Sequence, residues 1–367
     1  MPADLKPTVL HYTGAENDRG GIVSVIRALA TSDRFVSLMG VSSGGGQRRS
    51  PPLPTLELPR LDPEVLGLRT AWRSLAVARE VRRWLAVDPS RVFHAHTRAG
   101  LLVACLLAAA GEARIVASIH CYGRQRWFYR RAARLLGSRL FWLSPAMKRH
   151  YGLDGGDWSQ CIPECVTPRA AAAESRPGPD GNLRLGGIGL LVAWKRWHDV
   201  IAALAALPAG VRERVTFRHI GSADTSGQSR RYAEDLRART TALGLSDRVS
   251  WLGEQPDAEA FLQTVDAVVV ASQGEPFSLG LLEALRAGVP AVAADSGGAV
   301  DVLQEGESGW LFRTGDAGDL AGVIASLVTT DAVARVRITP ETIRPFTVPV
   351  IAAQWAAVYA GLEHASH

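Results

Sequence analysis

"DAVVVASQGEPFSLGLLEALRAGVP", residues 266–290, carries a strand, a loop and a helix in one short run. Asp266 to Ser272 is a valine-rich strand pattern and "QGEP" is a loop. A helix is predicted from about Ser278, with Gly288 at its end and Pro290 as a stop signal. Such a unit belongs to a parallel sheet covered by helices. Glu275 falls just before the helix and Glu283 in its second turn. The N–H groups of Ser278, Leu279 and Gly280 have no partner within the helix, the positive end of the helix dipole lies there, and Gly280 has no side chain to block close approach. This is a cradle for phosphate. With a rise of about 1.5 Å per residue, Glu283 lies roughly one turn beyond it, where a carboxylate can accept two hydrogen bonds from a vicinal diol such as a ribose. Glu275 can accept from hydroxyls of whatever hangs from the distal phosphate. Diol, diphosphate and polyol follow one another in a nucleotide sugar. The plainer alternative is a surface helix with one acid near its cap and one solvated glutamate, and the spacing alone leaves it open.

The same alternation runs along the whole chain. "TVLHYT", "RFVSLMGV", "RVFHAHT", "RIVASIH" and "RLFWLSP" read as strands of a first series, and "LRLGGIGLL", "RVTFRHIG", "RVSWLG", "DAVVVAS" and "AVAADS" as strands of a second. Two series predict an α/β protein with two doubly wound domains, 1–169 and 170–345. "TPRAAAAESRPGPDGN" (167–182) suits a linker between them, and "GVSSGGGQRRSPPLPTLELPR" (40–60) reads as a loop near the first sheet. The final helical stretch, 346–367, is expected to pack back on the first domain.

Composition sets the outer limits. The 367 residues are 47% apolar and 21% charged, the composition of a soluble globular protein. The apolar run "LLVACLLAAA" is about half the ~20 residues needed to span a bilayer, and the start has no basic stretch followed by an apolar core, so a cytoplasmic location is expected. Cys105, Cys121, Cys161 and Cys165 match no zinc or redox spacing and are read as reduced. The formal charge of +5 favours an anionic partner.

Residues 274–312, from "GEPFSLG" to "GESGWLF", resemble the family 4 retaining glycosyltransferases of the GT-B fold, in which two glutamates eight positions apart bracket the donor site. The resemblance implies two Rossmann-like domains with the active site in the cleft between them: an acceptor-binding first domain and a nucleotide-sugar-binding second one. Gly20 and Gly21 of "DRGGIVSV" resemble the family's glycine-rich loop, near donor phosphate or acceptor. His120 of "IHCYG" matches the histidine that usually contacts the donor sugar, and "HAHTRAG" (94–100) its strand-end histidine segment. "IPECV" (162–166) places Glu164 and Cys165 where a Pro-Asn-Gly-Val run is common. In "IGLLVAWKRWHDV", Leu190 stands where the phosphate-binding arginine is expected, while Lys195 is retained and Arg196 follows it. The implied catalytic set is Glu275, His120 and Lys195. The donor would meet Gly21, Lys195, Arg196, Glu275, Phe277, Ser278, Leu279, Gly280 and Glu283, and the acceptor Gly20, His94, His96, Arg124 and Arg126. No cofactor is implied, because the nucleotide sugar is a substrate. A sugar-nucleotide epimerase or hydrolase, and a non-catalytic nucleotide-sugar binder, are the alternative readings.

Other motifs weigh less. Gly40-Val41-Ser42-Ser43-Gly44 fits a nucleophile elbow but lacks the helix that must follow it. "GGIG" (186–189) lacks the third glycine of a dinucleotide fingerprint, and no P-loop occurs. There is no Asp-x-Asp pair to hold a divalent ion on a diphosphate, so Lys195, Arg196 and the helix start would take that part. His94 and His96 could be a metal pair, acceptor contacts or core histidines, and no third ligand lies in their run. Nucleic-acid binding is not expected, since the basic residues do not alternate with aromatics on strands. "GRQRWFYRRAARLLGSRLFW" (123–142) has six arginines and no acid. As a helix it would set Arg126, Arg130 and Arg134 beside an apolar stripe of Phe128, Ala132, Leu135 and Leu136, with Trp127 and Tyr129 at headgroup level. That suits an anionic membrane surface or a lipid-linked acceptor; a helix packed on the first domain with a solvated arginine face is the alternative.

Overall fold

The computed structural model describes residues 6–14, 20–42, 53–61, 67–153, 157–168 and 181–364. The chain divides into two compact units, Met1–Thr167 with Phe346–His367, and Pro168–Pro345. Most of the linker at 167–182 lies outside the described residues, as do Ser43 and Gly44 of the nucleophile-like motif at 40–44, whose first three residues belong to the strand Val36–Ser42.

The strands of the first unit are β1 (Thr8–Tyr12), β2 (Val36–Ser42), β3 (Thr55–Leu58), β4 (Arg91–Ala95), β5 (Ile115–Ile119) and β6 (Leu140–Trp142), in the order β3-β2-β1-β4-β5-β6. Those of the second are β7 (Leu183–Ile188), β8 (Val215–Ile220), β9 (Val249–Trp251), β10 (Ala267–Val270), β11 (Ala291–Ala294) and β12 (Gly309–Phe312), in the order β12-β11-β10-β7-β8-β9. All pairings between these strands are parallel. Each sheet starts at its centre, grows to one edge, then crosses back and grows to the other, which is the doubly wound order. Central strands such as β5 and β10 are buried along their whole length, as strands covered on both faces must be.

Two strands depart from the sequence reading. β3 lies inside the segment read as a loop, and β12 follows a stretch in which no strand was expected. Both are four-residue edge strands with partly exposed residues. Their apolar signal is too short to separate from loop, and pairing to β2 and β11 decides them.

Alternation along β4 shows how the first sheet is covered. Phe93 and Ala95 join a core with Val77, Val81, Leu101 and Leu107 from helices Leu68–Val87 and Arg98–Ala109. His94, between them, faces Trp355 and Tyr359 of helix Val348–His364. Ile351, Trp355, Tyr359 and Leu362 of that helix are buried, and side chains of this kind contribute about 1.5–3 kcal/mol each when buried. The core of the second unit gathers Leu185, Phe217, Val269 and Val292 from the sheet with Val200, Leu204, Leu320 and Ile324 from helices. The four cysteines form no disulfide, and burial pushes the Cys105 and Cys165 thiols up to about 11 and about 12, with Glu164 adding to the second.

Candidate functional site

In the second unit the predicted donor residues meet at the C-terminal ends of β7 and β10, where open α/β sheets bind ligands. The chain leaves β7 through Gly189, forms a short 3-10 turn at Ala193–Lys195 and enters helix Trp197–Ala206 through Arg196, which adopts the left-handed conformation with φ 55°. The Lys195 ammonium rests 4.6 Å from the centre of the Trp194 ring and donates to Glu275 Oε2 at 2.5 Å. The two side chains are only 14% and 12% exposed. Arg196 is already committed: its Nε donates to Asp199 Oδ2 at 2.6 Å and its Nη1 to Gln273 Oε1 at 3.3 Å.

Helix Leu279–Arg286 begins where the sequence indicated. Ser278 caps it, its hydroxyl accepting from the Leu281 N–H at 3.3 Å, with φ 76° and ψ 88°. Non-glycine residues pay for positive φ, and such positions cluster at functional sites. Among the described residues the N–H groups of Ser278, Leu279 and Gly280 have no protein acceptor. A Cβ on Gly280 would come no closer to the protein than 3.6 Å, from Ile188 O, so packing alone does not demand glycine there. The Phe277 side chain is fully buried, which leaves only its backbone to face a ligand. Glu283 sits in the second turn, where burial raises its carboxyl above the usual range against the opposing charge of Arg286. Leu190, at the place of the expected arginine, is 45% exposed.

In the first unit Gly20 caps helix Gly21–Leu29 with φ 111°, a conformation suited to glycine. His94 and His96 are 0% and 4% exposed. His94 Nδ1 pairs with the Tyr359 hydroxyl and Nε2 with the Ser118 hydroxyl, each at 2.8 Å. His96 Nε2 pairs with His11 Nδ1 at 3.0 Å, and its Nδ1 with His120 Nε2 at 3.1 Å. Neither His94 nor His96 therefore offers an acceptor a free ring nitrogen. The third histidine missing from their run is His11, since the β1–β4 register sets it opposite His94. Ring nitrogens of His11, His94 and His96 lie within 4.8 Å of one another, yet every one has a protein partner, His11 Nε2 pairing with Ser37. Burial holds His11 down at about 3 and His94 and His96 well below the usual imidazole range, so all three are neutral near pH 7.

Helix Arg126–Leu136 forms as expected, with a different outer face. Tyr129 is buried and its hydroxyl accepts from Arg98 Nε at 3.0 Å, which takes it out of any headgroup layer. Leu135 is exposed rather than part of the packed stripe. Arg126 donates to the His150 carbonyl, and Arg130 Nε to the Tyr151 carbonyl at 2.6 Å. Arg124 is exposed.

Residues 174–341 match the sequence family described as glycosyl transferases group 1. This segment is a group 1 glycosyltransferase domain. A D-inositol 3-phosphate glycosyltransferase of Stackebrandtia nassauensis is 36% identical over 185 residues, covering 48% of this chain and 41% of that protein. The lipopolysaccharide core biosynthesis mannosyltransferase LpcC of Rhizobium leguminosarum bv. viciae is 32% identical over 126 residues, 34% of this chain and 33% of its own length. The matches thus span well under half of these relatives. Anabaena HepE, solved with UDP, superposes with a TM-score of 0.72 at 20% identity over 97% of this chain and 100% of its own. The fold is GT-B.

Several neighbours of the two glutamates in this glycosyltransferase domain escaped sequence reasoning. The Glu275 carbonyl accepts from Gly298 N–H at 3.1 Å, the Gly274 N–H donates to Ser296 Oγ at 2.7 Å, and the Gln273 N–H donates to the Trp194 carbonyl at 2.8 Å. The backing of the Glu275 loop by "DSGG" (295–298) depends on β10 and β11 lying side by side.

Proposed function

We propose that the protein is a metal-independent retaining glycosyltransferase, which moves a sugar from a nucleotide-sugar donor to an acceptor. The observation that carries this reading is the Lys195–Glu275 pair set beside the unpartnered N–H groups of helix Leu279–Arg286, with Glu283 in the next turn. The helix start takes the diphosphate, Glu283 the ribose diol and Glu275 the sugar hydroxyls. The Lys195 ammonium stabilises the charge that develops on the leaving diphosphate as the anomeric bond breaks through an oxocarbenium-like state. Retention accords with the resemblance of the two-glutamate spacing to the retaining family, in which the departing phosphate helps to deprotonate the acceptor. The Anabaena protein solved with UDP and with UDP-glucose makes uridine the first nucleotide to try. Thermal-shift titration with UDP, GDP and ADP sugars, followed by NMR of the product anomer, tests the reading. A donor that binds only the folded state raises its stability, and no shift with any of them, or an inverted product, would overturn it.

Glu283 gives this reading a pH signature. Its raised carboxyl is protonated more readily in the free protein than an ordinary glutamate, whereas ribose hydroxyls donate to the carboxylate and favour the ionised form. Donor affinity should therefore rise with pH through the raised range and then level off. Below that range it should fall by up to about tenfold per pH unit. Calorimetry with an intact sugar nucleotide should show this slope in the parent and a flat profile in Glu283→Gln.

The acceptor is proposed to be a small molecule or a lipid-linked one reached at a membrane surface. Leu68, Trp72 and Leu75 form one stripe on helix Leu68–Val87 and are 85%, 75% and 50% exposed. Arg69, Arg73, Arg79, Arg82 and Arg83 are exposed on the same helix. Trp127, 61% exposed, adds an aromatic on helix Arg126–Leu136. Among the described residues no helix is long and apolar enough to cross a membrane. With polybasic contacts contributing about 1 kcal/mol per residue near an anionic bilayer, the parent should sediment with phosphatidylglycerol vesicles at low salt and be released at high salt. A variant with Trp72→Ser, Arg69→Gln and Arg73→Gln should stay in the supernatant. Parent protein that remains soluble at low salt points to a soluble acceptor.

A further inference from the structure

A chain of side chains crosses the first sheet from strand to strand in the order of the sheet itself. Ser37 on β2 meets His11 on β1, Oγ to Nε2 at 3.3 Å. His11 Nδ1 meets His96 Nε2, just past β4, at 3.0 Å. His96 Nδ1 meets His120 Nε2, just past β5, at 3.1 Å. His120 Nδ1 then lies 3.6 Å from Glu164 Oε1, in the segment that follows β6. The registers explain the alignment. Val9 pairs with Ser37, His11 with His94 and His94 with Val116, so with a period of two the residues at 37, 11, 96 and 120 share one face. The set is enclosed: the His120 and Glu164 side chains are 7% and 11% exposed, and His120 Nδ1 is buried without a hydrogen-bond partner.

The chemistry gives this chain a direction. A neutral imidazole donates from one nitrogen and accepts at the other, and the partner of one nitrogen fixes the role of the second. With His120 neutral and Glu164 as a carboxylate, which accepts only, the proton on His120 belongs on Nδ1, facing Glu164. His120 Nε2 must then accept from His96 Nδ1–H, and His96 Nε2 from His11 Nδ1–H. His11 Nε2 is left to accept from the Ser37 hydroxyl. Reversing the chain would aim a lone pair of His120 at a carboxylate.

We propose that Glu164, facing His120 Nδ1 at 3.6 Å, orients by its charge a directional hydrogen-bond chain that runs through His120, His96 and His11 to Ser37, and that Glu164 is a positioning residue holding His120 in the Nδ1–H form and in one ring orientation. This rests on the glycosyltransferase reading only for its kinetic readout. Glu164 also stands where the sequence resemblance led to an asparagine, so the device belongs to this chain's own departure from the family pattern.

Long-range proton–nitrogen NMR on protein labelled with 15N-histidine tests it directly, because free neutral histidine prefers the Nε2–H form. At pH near 7, His11, His96 and His120 are expected as Nδ1–H tautomers. Glu164→Ala should move the His120 nitrogens toward tautomer-averaged values, and Glu164→Asp should partly restore them. In the same variants kcat for sugar transfer should fall by about tenfold and recover in part, with the Kd for UDP within about twofold of the parent. An Nε2–H His120 in the parent, an unchanged His120 spectrum in Glu164→Ala, or stoichiometric zinc on the histidines of chelator-free protein would each overturn the proposal. The parent spectrum decides even if Glu164→Ala does not fold. It needs no turnover, so absence of transfer activity beside the expected tautomers would count against the glycosyltransferase reading alone.

Discussion

Lys195→Ala is expected to lower kcat by about a hundredfold or more, the usual cost of removing one preorganised group from developing negative charge. The Kd for UDP should rise by less than about tenfold, since free nucleotide carries no breaking bond for the ammonium to favour. Among the described residues Lys195 has one carboxylate within reach, Glu275 at 2.5 Å, and both are largely withdrawn from water. In the free protein the pair holds both charges in place. On the proposed reading, a bound diphosphate would draw on the ammonium and release Glu275 toward the sugar hydroxyls. The variant therefore also leaves a sheltered Glu275 without its cation, and Lys195→Ala with Glu275→Gln should lose less than the sum of the two single losses. Steady-state kinetics with nucleotide titration on all three variants measures this. If kcat falls no further than UDP affinity does, Lys195 acts in binding and not on the leaving group.

Gly297→Ala is expected to have the second large effect, through the backbone rather than through a charge. Gly297 adopts φ +64°, and a Cβ there would stand 1.8 Å from the Glu275 carbonyl oxygen. Left-handed backbone at a non-glycine residue alone costs about 1–3 kcal/mol, and the clash can be relieved only by moving the 273–277 loop. That loop is held by the Gly298, Ser296 and Trp194 bonds, so the shift would carry Glu275 away from Lys195. Urea unfolding should show a loss of about 2 kcal/mol or more, and donor binding should be nearly abolished even where the protein remains folded. Gly280→Ala provides the contrast, because a Cβ there meets the protein only at ordinary contact distance. It should keep parent stability while weakening nucleotide binding. Parent-like donor affinity in folded Gly297→Ala would show that the Glu275 loop is not held from behind.

The helix start at Ser278 was legible because its signals are local: a capping hydroxyl, an apolar run of helical period, and glycine and proline beyond its end. The central strands were legible for the same reason, as short β-branched runs between turn residues. β3 and β12 were not, because a four-residue edge strand differs from loop only by the neighbour it pairs with. In the basic segment the period placed the helix correctly. It could not tell that Tyr129 turns inward to Arg98 while Leu135 faces water, since that depends on what packs against each side.

What the sequence by itself determined is the alternation of strand and helix, the two series of strands, and the place of Glu275 and Glu283 on either side of a helix start. These follow from backbone preference and from the period of apolar residues, which act over a few positions. Only the tertiary structure decided which distant groups are neighbours: Lys195 with Glu275, Gly297 behind the Glu275 loop, and His11, His96, His120 and Glu164 in one line. Parallel strands are joined by long crossovers, so their pairing sets side by side residues that lie far apart in the chain. Register is settled by the burial of whole faces at once, and no short stretch of sequence carries that.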